Sequence, residues 1–127
     1  MVDRDAIRAT VDEYLRAGRE GDKDAWLGLF AAEATLEDPV GTDVVRGTDE
    51  LSAFYDKTMG STEGLDNRLR ELRVAGNTAA FLFDLMIMWR GRRYEVSPID
   101  VLEFDDAGKI IRMRAHWAPS DMEEATS

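Results

Sequence analysis

Residues 79–89, AAFLFDLMIMW, are apolar on both sides of a β-alternation. One face carries Ala79, Phe81, Phe83, Leu85, Ile87 and Trp89, and the other Ala80, Leu82, Asp84, Met86 and Met88. A strand of this kind needs cover on both faces. The chain has 127 residues, which suits one domain, residues 1–127, with a core of its own. Its helices can cover one face of the strand, and a second copy of the chain is the simplest cover for the other, so a homodimer is expected. The run is far too short to span a membrane.

The next strand carries the chemistry. Val96-Ser97-Pro98-Ile99-Asp100-Val101-Leu102-Glu103-Phe104 also alternates, with Val96, Pro98, Asp100, Leu102 and Phe104 on one face. Asp100 therefore points to the apolar side. Burial penalises its anion, so its pKa is expected to rise and the group to hold its proton at neutral pH. A neutral carboxylic acid in an apolar site is a strong hydrogen-bond donor.

Helices come first along the chain. Residues 3–18 place Ile7, Val11, Tyr14, Leu15 and Gly18 on one stripe, with Asp3 as N-cap and Gly18 and Gly21 as the stop. Tyr14, on that buried stripe, needs a partner for its hydroxyl. Asp22 caps a shorter helix facing Trp26, Leu29 and Phe30 inward. A short strand, Ala34–Glu37, leads into the turn Asp38-Pro39-Val40-Gly41, where Pro39 holds Asp38 extended. Val44–Arg46 is a second short strand. Thr48 is placed to cap a third helix, with Leu51, Phe54, Tyr55 and Met59 inside. Strands then follow: 66–74, paired on one side only, a tight turn at Gly76-Asn77, the apolar run, the Asp100 strand, and a last strand with Ile111, Met113, Ala115 and Trp117 on one face. The polar tail from residue 119 to 127 is expected to be loose. Helices first and strands after them define an α+β fold, three helices packed on a curved, mostly antiparallel sheet that encloses a cone-like cavity.

Composition narrows the partners. With 26 acidic and 16 basic residues, the net charge of −10 disfavours nucleic acid and anionic membranes but not a small apolar ligand. There is no cysteine, hence no disulfide framework or thiolate metal site, and no carboxylate–histidine cluster suggests a metal. The start, Met1-Val2-Asp3-Arg4-Asp5, lacks a signal-peptide pattern, and a soluble cytoplasmic protein is expected.

Tyr14 in DEYLRAG, Asp38 in LFAAEATLEDPVGT, Tyr55 in AFYDK, Asp100 in SPIDVLEF and the closing RMRAHW together resemble bacterial ketosteroid isomerase, within the NTF2-like superfamily. The resemblance runs from the first helix to Trp117. It implies isomerisation of a 3-oxo-Δ5-steroid to the conjugated Δ4 ketone, without a cofactor. On it, Asp38 matches the general base, Tyr14 and Asp100 the oxyanion-hole donors, and Tyr55 a support that hydrogen-bonds the catalytic tyrosine. Some members extend this network with a further tyrosine where this chain has Phe30, so the network is expected to be shorter here.

The chemistry needs these groups. Shifting the double bond removes a proton beside a ketone, and the dienolate puts charge on the ketone oxygen, which Tyr14 and protonated Asp100 would stabilise. An ionised Asp38 would take the proton from C4 and return it to C6. Val40, Phe54, Phe83, Leu85, Met113 and Trp117 are candidates to line the steroid site, where apolar contact suffices for binding. Each residue also has an ordinary reading: Tyr14 and Tyr55 as core tyrosines, Asp38 as a turn residue, Asp100 as exposed after a slip of register. Lone His116 belongs at the surface or an interface, and Asp84 in solvent or an interface. Two other functions use the same cavity: a polyketide cyclase, dehydratase or epoxide hydrolase, the last two of which would be expected to place further His, Arg or Asp groups inside it, and a non-catalytic module that binds apolar ligands.

Overall fold

The structure, a computed structural model, describes residues 2–125. Helix α1 spans Arg4–Glu20, α2 Lys23–Gly28 and α3 Gly47–Lys57. The strands are β1 Phe30–Glu37, β2 Val45–Arg46, β3 Gly64–Ala75, β4 Thr78–Trp89, β5 Arg92–Val96, β6 Ile99–Phe104, β7 Ile110–His116 and β8 Glu123–Ala125. They form one sheet in the order β2-β1-β7-β6-β4-β5-β8, with β3 on the other edge of β4. All pairs are antiparallel except β1 with β7. The helices pack on the concave face, as the α+β reading requires. No helix among the described residues is long and apolar enough to cross a membrane.

The apolar run organises the sheet. Its start pairs with β6 and its end with β5, while β3 follows it throughout. Ala79, Phe81 and Phe83 are buried beneath the helices. Between β5 and β6 the register on β4 does not shift: Val96 faces Leu85 and Ile99 faces Leu82. Pro98 has no N–H to give the ladder, so the strand breaks there without changing face. Its oxygen still accepts from the Phe83 N–H at 3.3 Å.

Local differences from the sequence reading have local causes. The first helix continues past Gly18 and stops at Gly21, which takes the left-handed conformation at φ 66°. The third helix begins at Gly47, and its N-cap is Arg46, which makes no side-chain capping bond, so Thr48 is not the cap. Phe30 opens β1 and does not belong to the second helix. A register shift between β6 and β7 leaves Ile111 as an extra residue, turning it outward and Ile110 into the core. The segment expected as a loose tail forms a 3-10 turn at Pro119–Asp121 and strand β8 on β5, with Arg92 paired to Glu124 at 3.1 Å. Residues 126 and 127 lie outside the described residues.

Candidate active site

A cavity of about 310 Å³ opens between the helices and the concave sheet. Tyr14, Asp38 and Asp100 all reach it. Tyr14 projects from α1 with its ring edge-on to Phe81 at 6.0 Å. Asp100 sits on β6 opposite Phe81. Asp38 follows the end of β1, at a cis Asp38–Pro39 bond. The turn after it is tied to β7, because the Val40 N–H donates to the Ala115 oxygen at 2.9 Å. The three groups thus come from a helix, a strand and a strand-end turn, which fix them against one another.

The two aspartates sit in different settings. Asp100 is 1% exposed, and its Oδ1 has no hydrogen-bond partner among the described residues. Burial, then the charge of Asp38, push its pKa well above the usual carboxylate range, while the Tyr14 hydroxyl acts in the opposite direction. Burial also raises Asp38, but the Trp117 indole N–H donates to its Oδ1 at 2.8 Å and favours the anion. Tyr14 is held well above the ordinary tyrosine value by burial and by the two aspartates. The cavity thus gathers two carboxyl groups and a phenol, with Asp100 the more strongly shifted toward its protonated form.

Of the expected wall residues, Phe54, Phe83, Leu85 and Trp117 line the cavity. Val40 and Met113 do not. Met113 is 1% exposed in the core between Leu36 and Leu102, and Ala115 takes the cavity position on β7. Tyr55 is buried against Trp26, with ring centroids 5.4 Å apart. Its hydroxyl makes no hydrogen bond to Tyr14 or to any other described residue, which corrects the expected support role. The charges acting on it are those of Asp22, Lys23 and Asp56, at the start of α2 and the end of α3. His116 is exposed, and Asp84 lies on the outer face with Ser97, Arg68 and Arg70.

Several wall residues were not expected. Val96 and Pro98 share the Asp100 face, so the alternation alone could have added them. Thr58, Thr62, Asn67 and Met122 close the end away from the aspartates. There Thr58 Oγ1 donates to the Phe54 oxygen at 2.7 Å and Thr62 Oγ1 to the Met59 oxygen at 2.9 Å. The Asn67 side chain donates to the Leu15 oxygen and accepts from Arg19. Asp38 and Asp100 are the only charged residues lining the cavity among the described residues, and no group of three or more His, Asp or Glu there could hold a metal.

The cavity thus has two aspartates and a tyrosine at one end and apolar walls beyond them. The chain belongs to the SnoaL-like domain family, whose model matches residues 11–113, and its solved neighbours share the NTF2-like fold. Within that family it is 41% identical over 116 residues to the steroid Delta-isomerase of Nocardioides simplex, covering 91% of this chain and 93% of the relative. The Δ5-3-ketosteroid isomerase of Mycobacterium sp. superposes with a TM-score of 0.86 at 26% identity, covering 94% and 98% of the two chains. The epoxide hydrolase/cyclase-like enzyme SalBIII, of pyran ring formation in salinomycin, superposes at 0.89 with 27% identity, covering 98% and 100%.

Asp100 carries a stability consequence. A carboxyl whose pKa is raised by folding favours the folded state fully below its unfolded pKa, near 4. That contribution is lost as pH rises from there through the folded pKa, at about 1.4 kcal/mol per pH unit. Asn at this position carries no proton linkage. Asp100→Asn is therefore expected to gain thermal stability relative to the unsubstituted protein between pH 5 and pH 7, measured by calorimetry at each pH. A difference that shrinks with rising pH contradicts a raised Asp100 pKa.

Proposed function

We propose that the protein is a cofactor-independent steroid Δ-isomerase that converts 3-oxo-Δ5-steroids to the Δ4-conjugated ketones. Asp38 is the general base. Tyr14 and protonated Asp100 donate to the ketone oxygen. The observation that carries this reading is the pair of aspartates on one apolar cavity, one sealed and without a partner at Oδ1, the other accepting from the Trp117 indole N–H, which favours its anion. The identity to the Nocardioides enzyme supports the reaction class.

In the substrate complex, the ketone oxygen sits between Tyr14 and Asp100. Asp38 removes the C4 proton, and the charge that appears on the oxygen is met by two donors already in place. The protonated Asp38 then delivers the proton to C6, and the two donors release the conjugated ketone. No proton or electron is left over. The apolar wall from Phe83 to Leu85 and Phe54 accommodates the steroid body. A homodimer with one such site in each copy covers the outer face of β4, where Met86 and Met88 remain only partly buried. A dehydratase or hydrolase on the same scaffold would be expected to bring further charged groups into the cavity, and among the described residues only Asp38 and Asp100 line it.

The test is to mix the purified protein with 5-androstene-3,17-dione and follow the ultraviolet absorbance of the enone. Rapid appearance of the enone supports isomerisation. Binding of the steroid without turnover, seen as quenching of tryptophan fluorescence, makes the protein a binding module or an enzyme for another ligand.

A further inference from the structure

We propose that Gly18 determines the size of ligand the site accepts, its missing side chain leaving the end of the cavity away from the aspartates open to a 3-ketosteroid that carries a substituent at C17; the proposal deepens the isomerase reading above and rests on it. Gly18 is buried inside α1 and lines the cavity. A glycine inside a helix is destabilising relative to alanine, so its presence there calls for a reason. Backbone conformation does not give one, because Gly18 is not among the glycines with positive φ, whereas Gly21 is and ends the helix. Close packing does not give one either. A methyl group at this position would meet Asn67 Nδ2 at 3.6 Å, Met59 Sδ at 3.7 Å and Leu65 Cδ2 at 3.9 Å, all ordinary contacts. What glycine does supply is space, since those three neighbours are themselves cavity wall.

The position of that space follows from the helix. Tyr14 and Gly18 are four residues apart, one above the other on the same face, with a rise of about 6 Å between them. Side chains on a helix lean toward its N-terminus, so the Tyr14 hydroxyl is carried away from Gly18. A steroid with its 3-ketone at Tyr14 therefore runs past Gly18 with its opposite end, where C17 lies. The wall there cannot retreat freely, because the Asn67 amide donates to the Leu15 oxygen at 3.0 Å and accepts from Arg19 at 2.8 Å. A side chain longer than a methyl at position 18 must then take its room from the ligand.

The test uses Gly18→Ala and Gly18→Leu in the full chain. Gly18→Ala is expected to raise the melting temperature by about 2–5 °C, and a lower one overturns the proposal by making glycine a requirement of the fold. Binding, read by quenching of tryptophan fluorescence, is measured for testosterone and its 17β-acetate, propionate and phenylpropionate esters. For Gly18→Leu the loss of affinity is expected to grow along the series, from about twofold for testosterone to more than about tenfold for the phenylpropionate. A uniform loss, no loss, or an unsubstituted protein that binds none of the esters overturns the proposal. The graded loss in a protein that turns over no 3-oxo-Δ5-steroid upholds the role of Gly18 and sinks the isomerase reading. Turnover with a uniform loss does the reverse.

Discussion

Asp38→Asn is expected to lower kcat on a 3-oxo-Δ5-steroid by on the order of 10⁴, with binding of a phenolic steroid retained. The substitution keeps the shape and leaves an amide oxygen able to accept from the Trp117 indole, so the turn and the cavity survive. What it removes is the group that, on the proposed mechanism, carries the proton across the ring. Burial raises the Asp38 pKa above an ordinary carboxylate, and the bond from Trp117 opposes that rise. The acid limb of the kcat/KM profile should therefore lie above the ordinary carboxylate value, with activity lost as pH falls through it. Stopped-flow kinetics from pH 4 to 9 checks both. A substantially active Asp38→Asn protein makes another group the base.

Tyr14→Phe and Asp100→Leu are the second large effect. Each is expected to reduce kcat by about 10²–10³ with little change in KM, because each donor serves the developing oxyanion more than the ground-state ketone. The two differ in what they do to folding. Asp100→Leu removes a buried acid with an unpartnered oxygen and should not destabilise at neutral pH, whereas Tyr14→Phe keeps the edge-on contact with Phe81. Steady-state kinetics with both variants, alongside melting curves, separates catalysis from stability. A rise in KM with unchanged kcat for either variant contradicts a role confined to the transition state.

How much of this was legible in the sequence depended on the range of the interaction. Tyr14 and Asp100 were readable because a helix repeats every 3.6 residues and a strand every two, so one apolar neighbour fixes the side of the next. The placement of Asp100 survived the break at Pro98 because the break does not shift the register on β4. Only the start of the last strand was misread: the extra residue at Ile111 turns it outward and Ile110 inward, while Met113, Ala115 and Trp117 keep the face their alternation gives them, and nothing in the sequence around Ile111 announces a bulge. The bond from Trp117 to Asp38 depends on β1 lying parallel to β7, a pairing between segments some 80 residues apart that local periodicity does not encode. Tyr55 was assigned by resemblance, and the large indole of Trp26 beside it leaves its hydroxyl away from Tyr14. Strand β8 was missed because a charged, apolar-poor segment gives no strand pattern; its pairing rests on backbone bonds and the Arg92–Glu124 pair.

The far end of the cavity has a consequence for what the protein tolerates. From Phe83 to Ile87, both in the wall, the strand rises about 13 Å at ~3.3 Å per residue, so the cavity is elongated. At that end the hydroxyl hydrogens of Thr58 and Thr62 and one amide hydrogen of Asn67 are already committed to backbone oxygens. A ligand substituent there finds few donors and no charge. On the proposed reaction, recognition is therefore expected to concentrate on the reacting ketone, with the other end of the molecule judged by its bulk. Compounds that share the same first ring but differ at the opposite end should be processed at similar rates until size, not polarity, excludes them.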